Sequence, residues 1–258
     1  MSCGNNLKQI GLAMHLYHDQ RHRLPPSRPL LNEGPSWAWL ILPNLEQDAL
    51  YEFWDWQPLV LGRYDEYEVP RDALSSSIPT YFCPSRRAAE GQTANPFTQR
   101  GGCIYTDGIR GGLGDYAACI GSLGTDEPFS LSDGSRIQPD GAFRAVRGFR
   151  FAEIRDGLSN TLMVGEKQVP EDVFGEWPWD CSIYDGHNSA CNTRGAGPNF
   201  PLATRPFTDY DWKFGSYHPG QCQFVFCDGS VRPLENDISP VTLGLLAQRN
   251  DRKVIPLD

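Results

Sequence analysis

His218 and Asp228 are the first residues to weigh for chemistry. An imidazole and a carboxylate can serve as a general base and its orienting partner, and these two bracket nine residues near the C-terminus. As a dyad they would suit hydrolysis. In the structural reading, His218 belongs to a turn with Pro219-Gly220 and Asp228-Gly229 forms another. A second group is Asp156, Gly157, Ser159, Asn160 and Glu166. Its oxygens suit a hard cation such as calcium, but the dense acid spacing of a calcium-binding loop is missing. Asp and Asn beside a glycine more simply bond nearby backbone amides and hold a turn. The 32 acidic residues offer too many carboxylate pairs to single one out for glycoside chemistry. No nucleophile elbow, phosphate-binding loop, His-Glu-x-x-His or dinucleotide fingerprint is present. The chain is therefore expected to be non-enzymatic, with no catalytic residue assigned.

Eight cysteines form the next candidate set. None makes a Cys-x-x-Cys pair and no His stands at zinc-ligand spacing, so spacing predicts no metal centre. An even count in an acidic, Trp-rich, loop-rich chain points to disulfides and an oxidising compartment. Eight cysteines allow 105 pairings. Cys181 and Cys191, which bracket a polar loop, are the first candidate pair, and Cys103 with Cys119 the second. Cys222 and Cys227 fall on one strand at odd spacing, so they face opposite ways and should not pair with each other. The alternative is that several cysteines are buried thiols.

Exposed indoles can stack on sugars, and seven tryptophans are available. Trp37 and Trp39 lie among Leu40, Ile41 and Leu42 and read as core. Trp54 and Trp56, beside Asp55 and Pro58, read as either core or platform. Trp177, Trp179 and Trp212 lie in a long aromatic and polar stretch, residues 169–212. A stretch of that length is either functional or a packed flap, and any ligand is expected there first.

The elements that position these residues follow from periodicity and turn chemistry. Leu7, Ile10, Met14 and Tyr17 recur at helical spacing, with Leu12 and Leu16 widening the stripe, so residues 4–19 form an amphipathic helix. His15 and His18 flank that stripe. Arg23-Leu24-Pro25-Pro26 ends the helix. Ser36 caps a short helix at Trp37–Leu42, and Asn44 a second running to about Phe53. Ile78–Cys83, Asp115–Gly121, Gly141–Ala145 and Thr161–Glu166 read as strands, with a helical turn at Phe151–Ile154. Residues 57–80 are polar and irregular and are assigned no element, while 85–102 and 122–140 are loops, the last with turns at Asp133-Gly134 and Asp140-Gly141. Gln223–Cys227 and Ser230–Leu234 flank Asp228-Gly229, a strong hairpin signal in which both turn residues would take positive φ. Ser239-Pro240 opens a final helix over Val241–Gln248.

A chain of 258 residues with 26 Gly, 21 Pro and 12% aromatics is a loop-rich folded protein rather than a bundle or a disordered chain. A net charge of −9 without a basic run argues against nucleic acid. No stretch reaches the roughly 18 apolar residues that cross a bilayer.

Four stretches together carry a family resemblance. They are Cys3-Gly4-Asn5-Asn6-Leu7-Lys8-Gln9-Ile10-Gly11-Leu12-Ala13 through Tyr17-His18-Asp19, Tyr81-Phe82-Cys83-Pro84-Ser85, Ile154-Arg155-Asp156-Gly157-Leu158-Ser159-Asn160-Thr161-Leu162-Met163-Val164-Gly165-Glu166, and His218 followed by Asp228-Gly229. In this order they resemble a planctomycete family of prepilin-type proteins of undefined biochemical function. The resemblance implies an α+β fold, with an N-terminal helix packed on an antiparallel β-sheet as in type IV pilins and pseudopilins, enlarged by long loops. It implies one domain over residues 1–258: a stem-helix remainder at 1–20, a variable aromatic insertion at 169–212, and a C-terminal hairpin and helix at 213–258. Family members begin with a prepilin leader and an apolar helix, and Met1-Ser2-Cys3 stands where that helix would end. Membrane contact is expected only through that helix, which is absent from this chain.

The function implied is an extracytoplasmic pilin-like structural or surface-assembly subunit, at the cell surface, periplasmic or secreted. Its partners would be other pilin-like subunits or the secretion and pilus machinery. A polysaccharide- or surface-polymer-binding module is the alternative, with a hydrolase third. Pseudopilins also bind calcium near the C-terminus, so the resemblance allows a structural calcium by the hairpin, near Asp228, Asp237 and Asp251.

Overall fold

The structure, a computed structural model, describes residues 2–31, 34–63, 68, 70–90, 93, 111–204 and 210–255. Helix α1 spans Cys3–Arg21. The Ser2 hydroxyl accepts from the Asn5 amide at its start, and His22 closes it in the left-handed region at φ 56°. Leu7, Ile10 and Met14 are fully buried, as their spacing requires. Each contributes about 1.5–3 kcal/mol by leaving water. Leu12 and Leu16 do not widen the stripe, since Leu12 is 60% exposed. A 3.6-residue period carries position 12 around to the far side of a helix whose buried face is centred on 7, 10 and 14.

The strands are β1 (Tyr116–Cys119), β2 (Phe129–Ser130), β3 (Arg136–Ile137), β4 (Leu162–Glu166), β5 (Thr193–Arg194), β6 (Gln221–Phe226) and β7 (Val231–Glu235). Five form one sheet in the order β5-β1-β4-β6-β7, while β2 and β3 make a separate ribbon. The large sheet is antiparallel except where β5 runs parallel to β1, so it is mixed rather than purely antiparallel. The aromatic stretch 169–212 accordingly supplies an edge strand and is no mere appendage. Its Cys181–Cys191 disulfide forms as the spacing predicts, and the Trp37 indole N–H donates to the Asn192 carbonyl at 2.8 Å, fixing the stretch to the core.

Helix α1 covers one sheet face, packing with Met163, Val164, Val225 and Cys227. Gly11 permits the approach, because a Cβ there would stand 2.7 Å from Val225 Cγ2. The other face buries Leu162, Cys222, Phe224 and Phe226. A register shift between Leu162 and Val164 turns Met163 and Val164 to the same side. Among the described residues four single-turn helices follow α1: α2 (Trp37–Leu40), α3 (Asp48–Tyr51), α4 (Gln57–Val60) and α5 (Arg71–Leu74). Helix α6 (Pro240–Ala247) closes the second face through Leu243, Leu246 and Ala247.

Several local expectations need correction. Asn44 caps no helix, because Leu42–Leu45 winds as a 3₁₀ turn before α3. Ile78–Cys83 is not a strand: Pro79–Tyr81 form a 3₁₀ turn whose Tyr81 hydroxyl donates to the Ala38 carbonyl. Gly141–Ala145 has no ladder partner among the described residues. It runs as a crossing, with the Phe143 amide donating to the Cys119 carbonyl. The hairpin turn places only Gly229 at positive φ, 80°. The Gly229 amide donates to the Phe226 carbonyl, which makes a type I turn followed by a left-handed glycine rather than a two-residue primed turn.

Candidate functional site

The first turn of α1 carries Cys3 into the protein, where it bonds Cys83, a partner 80 residues away. Asn6, one turn on, donates its side-chain N–H to the Phe82 carbonyl at 2.6 Å. The Tyr116 hydroxyl donates to the Cys3 carbonyl at 3.2 Å. Cys83 is held from behind, its amide donating to Asp115 Oδ2 at 2.9 Å. Arg86 donates to Asp115 Oδ1 and to the Gly215 carbonyl, each at 3.1 Å, and lies over the Tyr217 ring.

Glu166 ends β4 with its side chain fully buried. Its Oε2 accepts from the Gln223 amide at 2.9 Å, and its Oε1 stands 3.2 Å from His218 Nε2. The His218 ring is 17% exposed. Its hydrogen bond to Glu166 raises its pKa above the ordinary imidazole value, against the opposing effect of burial. Cys83 Sγ lies 3.0 Å from Glu166 Oε1 and 3.6 Å from His218 Nε2. The ligating atoms of Cys3, Cys83, Glu166 and His218 all fall within 4.8 Å of one another. Two sulfurs, an imidazole nitrogen and a carboxylate oxygen are donors that tetrahedral zinc takes. Spacing could not reveal the cluster, since its members come from four distant stretches.

Behind it lies a buried charge network. Arg87 bridges Asp115 and Asp180, and Lys167 Nζ reaches Asp180 Oδ1 at 3.2 Å. Burial alone would raise the Asp180 carboxyl, but the Arg87 and Lys167 charges and Arg87's hydrogen bond hold it well below the usual range. Burial pushes Lys167 down to about 8.

His218 and Asp228 do not form the dyad weighed above, because they stand at opposite ends of β6. Asp228 turns back on its own loop and accepts from the Ser230 amide at 2.9 Å, beside Gly229. His218 finds Glu166 instead. The central motif also divides. Asp156 accepts from the amides of Asp251 and Arg252, each at 2.7 Å, and Asn160 donates to the Asp156 carbonyl. Gly157 takes φ 97°, and the Ser159 carbonyl accepts from Arg232. Glu166 lies beyond, across the length of β4, so these residues do not assemble one calcium site.

Of the tryptophans, Trp54 is core and meets Trp39 edge-on at 5.1 Å. Trp56 lines a groove of about 310 Å³ with Tyr17, Arg21 and Tyr51. Trp179 lies 5.8 Å from Tyr210 and 6.0 Å from Trp212, while Trp177 is 50% exposed. Cys119 does not pair with Cys103. It is a free thiol, and burial pushes its pKa up to about 12. Cys103 lies outside the described residues. Cys222 and Cys227 are free and on opposite faces, as their spacing predicts.

An N-terminal helix packed on a mixed sheet, with long loops and two disulfides among the described residues, defines an α+β domain cross-linked as extracytoplasmic proteins commonly are. Over residues 1–240 the chain matches the family described as protein of unknown function (DUF1559), and it belongs to that family. No curated protein and no solved structure matches the chain.

Proposed function

We propose that this chain is the outward-facing domain of an extracytoplasmic, non-enzymatic surface subunit of the pilin-like kind. The observation that carries this reading is the Cys3–Cys83 bond, which fastens the first turn of α1 to the sheet domain. A helix that leads a domain from a membrane or filament must not peel away under load. Here α1 is held by the disulfide, by Asn6 on the Phe82 carbonyl, and by a stripe of buried apolar residues. Among the described residues no helix is long and apolar enough to cross a membrane. Antibody raised against this chain should label intact, unpermeabilised cells of the source organism. Labelling only after permeabilisation would refute a surface location.

A second reading has one observation in its favour. Half-buried Trp179 gathers exposed Tyr210 and Trp212 around it, with exposed Trp177 two residues along the chain, and exposed aromatics suit a polysaccharide or another surface polymer.

A further inference from the structure

Cys3, Cys83, Glu166 and His218 form more than a cross-link requires. A disulfide needs only its two sulfurs. Here a fully buried carboxylate oxygen stands 3.0 Å from Cys83 Sγ, and in the disulfide that sulfur has no proton to give. The imidazole nitrogen that reaches the same oxygen also lies 3.6 Å from the sulfur. Glu166 Oε1 has the His218 nitrogen on one side and a sulfur that cannot donate on the other, whereas around a cation the two sulfurs, the nitrogen and the oxygen would all serve as ligands.

We infer that the Cys3–Cys83 disulfide is one state of a two-state site. When the bond is reduced, both thiolates, His218 Nε2 and a Glu166 carboxylate oxygen bind one zinc-class divalent ion. Forming the disulfide expels it. This inference goes beyond the surface-subunit reading and does not rest on it.

The geometry needs little adjustment. The four donors lie within 4.8 Å of one another, and zinc bonds of about 2.0–2.3 Å set tetrahedral ligands roughly 3.3–3.8 Å apart. The two sulfurs must part from bonding distance, while the widest separations close slightly. Supports outside the site already orient three of the ligands: the Gln223 amide on Glu166 Oε2, Asp115 on the Cys83 amide, and Tyr116 on the Cys3 carbonyl. Two thiolates and a carboxylate carry three negative charges against two on the ion, and the buried Arg86 guanidinium lies three residues from Cys83, donating to the Gly215 carbonyl and to the Asp115 that holds the Cys83 amide. The partly exposed His218 ring gives the ion its approach from solvent.

The chemistry balances. A dithiol reductant supplies two electrons and two protons and closes to its own disulfide, while Cys3–Cys83 opens to two thiols. Binding the ion then releases both thiol protons to water. In reverse, a disulfide-class oxidant takes the electrons and the ion leaves.

The test uses the chain reduced with a dithiol, desalted without oxygen and titrated with cobalt(II) and then zinc(II). The reduced chain should take one cobalt per chain with thiolate-to-cobalt charge-transfer absorption, and zinc should displace it. The oxidised chain should show none. H218A and E166Q should each weaken binding at least about tenfold, the smallest loss that even outer-sphere changes produce. C181S should bind as the unaltered chain does. Should the ligand variants fail to fold, alkylation of the reduced unaltered chain decides. Zinc should protect Cys3 and Cys83 from iodoacetamide in a peptide map. No thiolate–cobalt band, or equal alkylation of these two cysteines with and without zinc, overturns the inference.

Discussion

Asp180 shows how one side chain can set the acid limit of the fold. Its carboxyl is buried between Arg87 and Lys167, which hold it more acidic in the folded chain than in the unfolded one. A depressed carboxylate gives stability that is fully present above the ordinary value of about 3.9. That stability is lost as pH falls below this value toward the folded one. Melting temperature followed against pH should therefore drop on the acid side for the unaltered chain, and D180N should flatten that limb. D180N should also lower stability at neutral pH by roughly 3–5 kcal/mol, because Arg87 and Lys167 are left buried without their shared anion. Gly11→Ala tests a different contact. Its new methyl would meet Val225 Cγ2 at 2.7 Å, so a loss of roughly 1–3 kcal/mol is expected in denaturant unfolding.

At the scale of elements, the staple on α1 is the decisive contact. Cys3–Cys83 closes a segment of 80 residues, whereas Cys181–Cys191 closes one of 10. Chain entropy favours the longer closure, about 4.5 against about 3 kcal/mol. The double variant C3S/C83S should therefore lose more stability than C181S/C191S when the two are compared by urea unfolding. Equal losses would mean that α1 stays docked through Leu7, Ile10 and Met14 and the hydrogen bonds of Asn6 and Tyr116.

This scale also shows what could be read from residues in order and what could not. The α1 stripe, the hairpin around Asp228-Gly229 and the Cys181–Cys191 pair are local, so periodicity, turn chemistry and short spacing reveal them. Ile78–Cys83 looks like a strand by composition, but Pro79 removes a ladder donor and Tyr81 is drawn inward to the Ala38 carbonyl. The cluster at Cys3 was legible only as four separate motifs. Nothing in their spacing says that β4 delivers Glu166 to a histidine 52 residues on and to two cysteines upstream. His218 was singled out, yet with Asp228, its sequence neighbour across β6, rather than with Glu166, its neighbour in space.

At the scale of the whole molecule, one residue or end from each of the four motifs that carry the family resemblance reaches the same place, while Asp228-Gly229 and Asp156 lie elsewhere. The head of α1, Cys83, the end of β4 and His218 at the approach to β6 meet at a single junction. The aromatic patch of Trp179, Tyr210 and Trp212 lies in other parts of the chain and gives the polymer-binding reading its own test. Tryptophan fluorescence should quench on adding a bound polysaccharide, and W212A should remove the response. A flat titration across a broad panel would set that reading aside. Where the protein resides and what it joins are tested most directly by fractionating source cells and blotting for this chain. Recovery with membranes or sheared filaments is the predicted result, and recovery wholly as a free secreted protein would contradict it.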